Sequence, residues 1–261
     1  MAIFNRGIKN AEFISALLAS KHWKELVEDK DLFIGIRGEY INIYYHGQSV
    51  FKVKHNEKGG LQWTSHNKYM GEDKKGYSDS EDYLDRISYM KEMAFKHAGA
   101  EKSQVKQHIL EKPDRCILDV EITFGAEDGF NTRSIDYLAI EKAESGKLKL
   151  VFYEAKHFNN AEIRSRTEPH VFGQLSKYEL ALTKHEKEII ASYNTVIKNM
   201  FELGIDNNSG YAQLLNGKTM DAAVDFEPRL IVFAIPEDKM QDEHMEKLRA
   251  RLGASRLVLV Q

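Results

Sequence analysis

The sequence lacks the features that mark secreted and membrane proteins. It has a single cysteine, Cys116, in an apolar run, so no internal disulfide can form and a reducing compartment is expected. The opening residues MAIFNRGIKN lack the apolar core of a signal peptide. No stretch approaches the roughly 18 apolar residues of a membrane-spanning helix. We therefore expect a cytoplasmic protein that does not associate with membranes.

A strong net charge is also absent. The 261 residues include 37 Lys and Arg and 40 Asp and Glu, for a formal net charge of -3. Bulk charge therefore does not indicate a nucleic-acid partner, and any basic surface must be local. Hydrophobic residues make up 42% of the chain, which is enough for a globular core in one large domain or a core domain with an appendage.

The first part of the chain predicts a small β-rich unit. Residues 9–28 have the apolar spacing of an amphipathic helix. Residues 31–65 contain four short segments rich in β-branched and aromatic residues, which predict an antiparallel meander. Residues 66–82 are polar and glycine-bearing, as in a loop. We expect residues 1–75 to form an N-terminal helix plus β-meander unit.

The remainder of the chain, residues 80–261, predicts an α/β domain. Residues 80–111 are helical in pattern, with a break near Gly99. The later segments predict strands over 115–124, 133–141 and 148–156, a helix beginning in 167–203, a strand over 229–235, a helix over 237–252 and a strand over 256–260. This order predicts a mixed sheet flanked by helices.

Charged residues interrupt two of the apolar strands. In the strand 148–156, alternation places Glu154 and Lys156 on the same face as Leu150 and Phe152. In the preceding strand, Asp136 shares a face with apolar neighbours. Charges in such places are costly unless they pair or bind something. An ordinary solvated ion pair at a strand end is the alternative interpretation.

A third carboxylate depends on the strand register. If 115–124 and 133–141 form a hairpin, Phe124 pairs near Arg133, and Glu121 then lies opposite Asp136. A register shifted by two residues would separate them. Converging carboxylates suit a Mg²⁺ ion, and a nearby ammonium can orient water or stabilise charge on phosphorus. These parts are the ones that metal-assisted phosphodiester hydrolysis requires.

The sequence SIDYLAI followed by EAK resembles the PD-(D/E)XK nuclease superfamily, whose fold is restriction-endonuclease-like. In GQLSKYE, Gln174 and Tyr178 resemble the Gln-x-x-x-Tyr helix motif of one branch of that superfamily, and their spacing stacks them on one helix face. Ile135 stands where the superfamily often has proline.

This resemblance implies a Mg²⁺- or Mn²⁺-dependent nuclease acting on DNA and leaving a 5′-phosphate. Asp136 and Glu154 would bind metal, and Lys156 would act in catalysis with Gln174 and Tyr178. The resemblance also implies a further Glu from the first core helix, for which Glu101 is the candidate by position.

Two arginines and the β-rich unit are further candidates for partner contacts. Arg164 and Arg166 follow the third strand and are candidates for gripping nucleic-acid phosphates, or else belong to a solvated loop. The β-rich unit is a candidate element for recognition or for homodimer formation.

Two other function classes stay open. One is a nuclease-fold protein that binds nucleic acid or acts as a scaffold without catalysis. The other is a small-molecule hydrolase, although the sequence contains no Gly-x-Ser-x-Gly nucleophile motif.

Overall fold

The described chain is a mixed α/β protein with two sheets and six α-helices. A computed structural model describes residues 4–71, 75–99, 103, 116–124, 134–143, 145–165, 167–207 and 219–260. Two compact units can be distinguished. The mixed-sheet unit comprises Met1–Phe4, Asp119–Ile190 and Asp221–Gln261, and the meander unit comprises Asn5–Leu118 and Ala191–Met220. The predicted boundary at residues 75–80 does not coincide with this division.

The meander unit contains a five-stranded antiparallel sheet in the order β1-β2-β3-β4-β5. Its strands are β1 (Phe33–Ile36), β2 (Tyr40–Tyr45), β3 (Gln48–His55), β4 (Leu61–His66) and β5 (Tyr77–Asp79). The predicted meander is therefore confirmed over its first four strands. The fifth strand lies in the stretch predicted as a loop, because its residues Tyr-Ser-Asp carry no apolar alternation.

The helices α1 (Ala11–Ala19), α2 (Lys21–Glu28) and α3 (Ile87–Lys96) accompany this sheet. The single helix predicted over 9–28 is wrong, because Ser20 has an extended backbone that separates α1 from α2. The start of α1 follows the usual capping rule, since the Asn10 side chain accepts hydrogen bonds from the Glu12 and Phe13 amides.

The second sheet is mixed, with its strands in the order β11-β10-β8-β7-β6, and β9 also pairs with β8. Its strands are β6 (Cys116–Ile122), β7 (Ile135–Lys142), β8 (Leu148–His157), β9 (Ala222–Val224), β10 (Arg229–Phe233) and β11 (Leu257–Leu259). Strands β7 and β8 are antiparallel, whereas β8 pairs with β10 and β10 with β11 in parallel. The predicted strands are confirmed, and β9 is an additional one.

The remaining helices are α4 (His170–Lys184), α5 (Glu186–Leu203) and α6 (Glu243–Arg256). The segment 167–203, predicted to begin with a helix, holds two, because His185 interrupts the helical backbone. Val171, Leu175 and Leu182 of α4 are buried, as the sequence predicts for an inward-facing side. Among the residues described here, no helix has the length and apolar character needed to cross a membrane.

A buried asparagine holds the N-terminal segment of the meander unit. The Asn199 side chain accepts a hydrogen bond from the Ile8 amide (2.7 Å) and donates one to the Ile8 carbonyl (3.0 Å). Both residues are 2% exposed. One side chain thus satisfies both backbone groups of a residue that has left water, and each would be costly to leave unpaired.

We expect Asn199→Ala to lower the free energy of unfolding by about 2–4 kcal/mol, because two buried backbone groups lose their partner. Urea unfolding of the full chain measures this loss. The neighbouring Lys198→Ala is the control, since its side chain is 65% exposed and its contact with Glu202 contributes little. Equal stability of the two variants would contradict the role assigned to Asn199.

Candidate metal and catalytic site

Asp136 lies near the start of β7, beside the end of β8. The backbone ladder between these strands ends at Tyr137 opposite Tyr153. Continuing this register by one residue would place Asp136 opposite Glu154, and Glu154 contributes to the raised pKa of Asp136. The Ala155 amide at this point donates to a side chain and not to the backbone of β7. Its acceptor is Asp136 Oδ2, at 2.7 Å. The carboxylate is thereby fixed in position at the point where the two strands separate.

Glu154 and Lys156 form a buried ion pair at the end of β8. Lys156 Nζ lies 2.6 Å from Glu154 Oε1, and the two residues are 5% and 2% exposed. The prediction that they share one face is confirmed. The alternative of a solvated surface pair is wrong, because both charges are out of water and depend on specific partners.

Helix α4 supplies two uncharged donors to Glu154. Gln174 Nε2 donates to Glu154 Oε1 (2.7 Å) and to the Tyr178 hydroxyl (2.6 Å). The Tyr178 oxygen lies 3.2 Å from both Glu154 Oε2 and the Ser134 carbonyl, so its one proton serves one of these acceptors. The predicted i, i+4 pair therefore points at the predicted carboxylate.

The oxygen atoms left over at this site suit a hard cation. A carboxylate has about four acceptor positions, and at most three donors occupy Glu154, so at least one position is open on Oε2. Within the described chain, Asp136 Oδ1 has no hydrogen-bond partner. In a strand, the amide and the carbonyl of one residue point to the same neighbour, so the Ala155 carbonyl is also directed toward β7 and Asp136.

Mg²⁺ commonly takes one or two carboxylates and keeps several waters, and the donor set of Asp136 and Glu154 fits that requirement. Within the described ranges, no group of three or more His, Cys, Asp or Glu side chains is arranged to hold a metal ion.

Burial and like charge oppose ionisation at the site. Burial and the neighbouring Glu154 raise the pKa of Asp136 well above its usual range, with a smaller contribution from Glu121. Burial also raises the pKa of Glu154, opposed by Lys156, Tyr178 and Gln174. The pKa of Tyr178 is raised by burial and by Glu154, so its hydroxyl stays protonated. A divalent cation would relieve the repulsion between the two carboxylates.

Glu121 is the third predicted carboxylate and lies on β6, the strand next to β7. Its Oε2 accepts a hydrogen bond from Ser134 Oγ at 3.0 Å. Its φ of 51° is in the left-handed region, which is uncommon for a residue other than glycine and is concentrated at functional sites. Glu121 makes a small contribution to the raised pKa of Asp136, while the pairing of these two residues across the ladder stays a prediction.

The predicted nucleic-acid contacts are only partly described. Arg164 Nη1 lies 3.3 Å from Asp242, and its guanidinium carbon lies 4.4 Å from the centre of the Phe158 ring. Asp242 also caps α6 through the His244 and Met245 amides. Arg164 thus has an evident structural role, and its contact with phosphate stays a prediction. Arg166 and Glu101 lie outside the described residues.

Sequence reasoning missed Glu162. This residue lies in the loop after β8, and its Oε2 is 3.0 Å from Lys156 Nζ. Lys156 is therefore held between two carboxylates, Glu154 and Glu162. The only sequence signal is an acid eight residues after Glu154, and nothing in the loop sequence distinguishes it from a solvated acid. The contact arises because the chain turns back at residues 158–163.

No protein-family model, curated protein or solved structure matches the chain.

The pKa shift of Asp136 leads to a stability prediction. A raised carboxyl pKa favours folding below the unfolded-state value of about 4, and that contribution is lost as pH rises through the higher folded value. Asp136→Asn keeps an acceptor for the Ala155 amide and has no charge. In EDTA, we expect this variant to unfold at a higher temperature than wild type near neutral pH and to show a smaller fall in stability between acidic and neutral pH.

Thermal unfolding at several pH values measures this difference. Glu57→Gln, at an exposed turn position, is the matched control and should follow the wild-type profile. An Asp136→Asn protein less stable than wild type near neutral pH would show that the charged carboxylate is favourable in the folded protein.

Proposed function

We propose that the protein is a metal-dependent nuclease that hydrolyses phosphodiester bonds, with DNA as its substrate. The observation that carries the proposal is the arrangement around Glu154. This buried carboxylate lies beside Asp136 on the next strand, pairs with Lys156, and accepts hydrogen bonds from Gln174 and Tyr178. Five residues singled out by one sequence resemblance thus meet at one point.

Asp136 and Glu154 would hold the metal ion in this proposal. When bound, Mg²⁺ or Mn²⁺ supplies a Lewis acid for a phosphoryl oxygen and lowers the pKa of its water. The chain's own contribution is to fix the two carboxylates. Asp136 is oriented by the Ala155 amide, and Glu154 by three donors. Rigid placement of this kind avoids reorganisation during reaction.

Lys156 would stabilise charge that develops on the phosphoryl group and orient the attacking water. Its ammonium is a compact, rotatable triple donor that donates a hydrogen bond to Glu154 and forms an ion pair with Glu162. A third donor position is then available for a substrate oxygen or a water. Gln174 and Tyr178 are positioning residues, because they act on the substrate through Glu154.

The sheet supports the restriction-endonuclease-like part of the proposal. Antiparallel β7 and β8 carry the carboxylates, β10 runs parallel to β8, and α4 follows β8 with its motif facing Glu154. This order of elements is the one that the PD-(D/E)XK resemblance implies. A role in defence against foreign DNA or in repair would follow by analogy with that superfamily.

A nuclease-fold protein without catalysis is the second candidate. The closed ion-pair network of Glu154, Lys156 and Glu162 favours it, because Lys156 already compensates buried negative charge. In that case the protein would bind nucleic acid or act as a scaffold. Cleavage and metal binding, tested separately below, discriminate the two candidates.

We expect Lys156→Ala to reduce DNA cleavage at least about 100-fold in Mg²⁺ or Mn²⁺, the size of loss seen when one charge-stabilising donor is removed. Cleavage of linear and circular DNA by purified protein measures the loss. Lys177→Ala, an exposed lysine on the same helix as Gln174, is the charge-matched control and should cleave like wild type. Circular dichroism confirms that both variants fold. Equal cleavage by Lys156→Ala and wild type would contradict the catalytic role proposed for Lys156.

Metal binding gives an independent test. We expect calorimetry to detect Mn²⁺ binding to wild type and little or none to Asp136→Asn, because the open carboxylate oxygen is replaced by an amide. Lys156→Ala should still bind Mn²⁺, since it leaves both carboxylates in place. Identical Mn²⁺ binding by Asp136→Asn and wild type would place the ion elsewhere. Absence of both binding and cleavage in wild type would favour the second candidate.

A further inference from the structure

The meander sheet has one buried face and one polar face. Ile41, Val53 and Trp63 belong to the buried face. The polar face contains two rows of residues that run across β2, β3 and β4. One row is Tyr40, Lys54 and Gln62, and the other is Asn42, Lys52 and Thr64. These six residues, called the lysine face below, are half-buried or exposed. Alternation along each strand places all of them on the same side.

Two lysines converge on one tyrosine in the lysine face. Lys52 Nζ lies 4.2 Å from the centre of the Tyr40 ring, and Lys54 Nζ lies 5.8 Å from it. The aromatic ring attracts both ammonium groups, which brings two like charges close together. Burial and the neighbouring Lys54 lower the pKa of Lys52, and a nearby anion would oppose this shift because it favours the charged ammonium.

The described residues contain no acidic partner for these lysines. Other lysines, such as Lys91 with Asp29, contact a carboxylate within 4.0 Å, but among the described residues neither Lys52 nor Lys54 has such a contact. The nearest acid by register is Asp79, which is opposite Thr64 on the edge strand and accepts a hydrogen bond from the Glu81 amide. The lysine face is thus a local positive site on a chain whose net charge is -3.

We propose that the lysine face binds the sugar-phosphate backbone of a nucleic acid, with Lys52 and Lys54 each contacting a phosphate. The choice of nucleic acid over another polyanion rests on the proposed nuclease function. The neutral donors Asn42, Gln62 and Thr64 flank the lysines and suit phosphate oxygens. Both ammonium groups lie close to the Tyr40 ring, so the lysines compete with a base for stacking on it. Binding is therefore directed to the backbone and independent of base sequence.

The test compares wild type with the double variant Lys52→Gln, Lys54→Gln in the full chain. Fluorescence anisotropy of a labelled DNA duplex is recorded in EDTA, so that cleavage does not occur, at several salt concentrations. The slope of log Kobs against log salt is negative. Loss of two phosphate contacts should make it shallower by roughly 1.8 for a duplex, or by roughly 1.4 for a single strand. Duplexes of unrelated sequence should show the same change.

The matched control is Lys21→Gln, Lys24→Gln, which removes two exposed lysines from α2 of the same unit. This variant should keep the wild-type slope. An unchanged slope in the lysine-face variant, or an equal decrease in the control, would overturn the proposal. Displacement of the DNA by poly-glutamate at a lower charge concentration than by a second DNA would also overturn it, and would assign the face to an acidic protein.

This outcome is separable from that of the nuclease proposal. If wild type binds DNA through the lysine face but never cleaves it in Mg²⁺ or Mn²⁺, only the catalytic proposal fails. If wild type cleaves DNA and the lysine-face variant keeps the wild-type salt slope, only the present inference fails.

Discussion

The buried ion pair between Glu154 and Lys156 is the interaction on which the candidate site depends. Two charges that leave water at the end of a central strand are costly, and their attraction alone does not offset that cost. The structure supplies further partners: Gln174 and Tyr178 donate to Glu154, and Glu162 forms an ion pair with Lys156. The pair therefore ties β8 to α4 and to the loop between them, and it sets the orientation of each group in the site.

Asp136 is the member of the site whose negative charge is only partly compensated. Its pKa is raised well above the usual range by burial and by Glu154, and the Ala155 amide satisfies only one of its oxygens. Such an arrangement disfavours the folded, ionised protein and is common where function requires it. A bound cation would turn this repulsion into ligation, which is the physical basis of the proposed metal site. Lys156 offsets part of this negative charge.

The meander unit shows how a small negative net charge can conceal a basic surface. Its apolar face accounts for the aromatic and branched residues of the sequence, including Trp63 and Phe51, which meet edge to face. Its other face brings Lys52 and Lys54 over Tyr40. Because the side-chain period of a strand is two, the same short segments build a core on one side and a cationic surface on the other.

The sequence by itself determined the features that depend on local periodicity. The shared face of Glu154 and Lys156 and the stacking of Gln174 on Tyr178 follow from strand and helix periods, and both are present. Only the tertiary structure decided that Glu162 reaches Lys156, because that contact depends on how a loop folds back. It likewise decided the grouping of residues 191–220 with the meander, since contacts between distant segments leave no periodic signal in the chain.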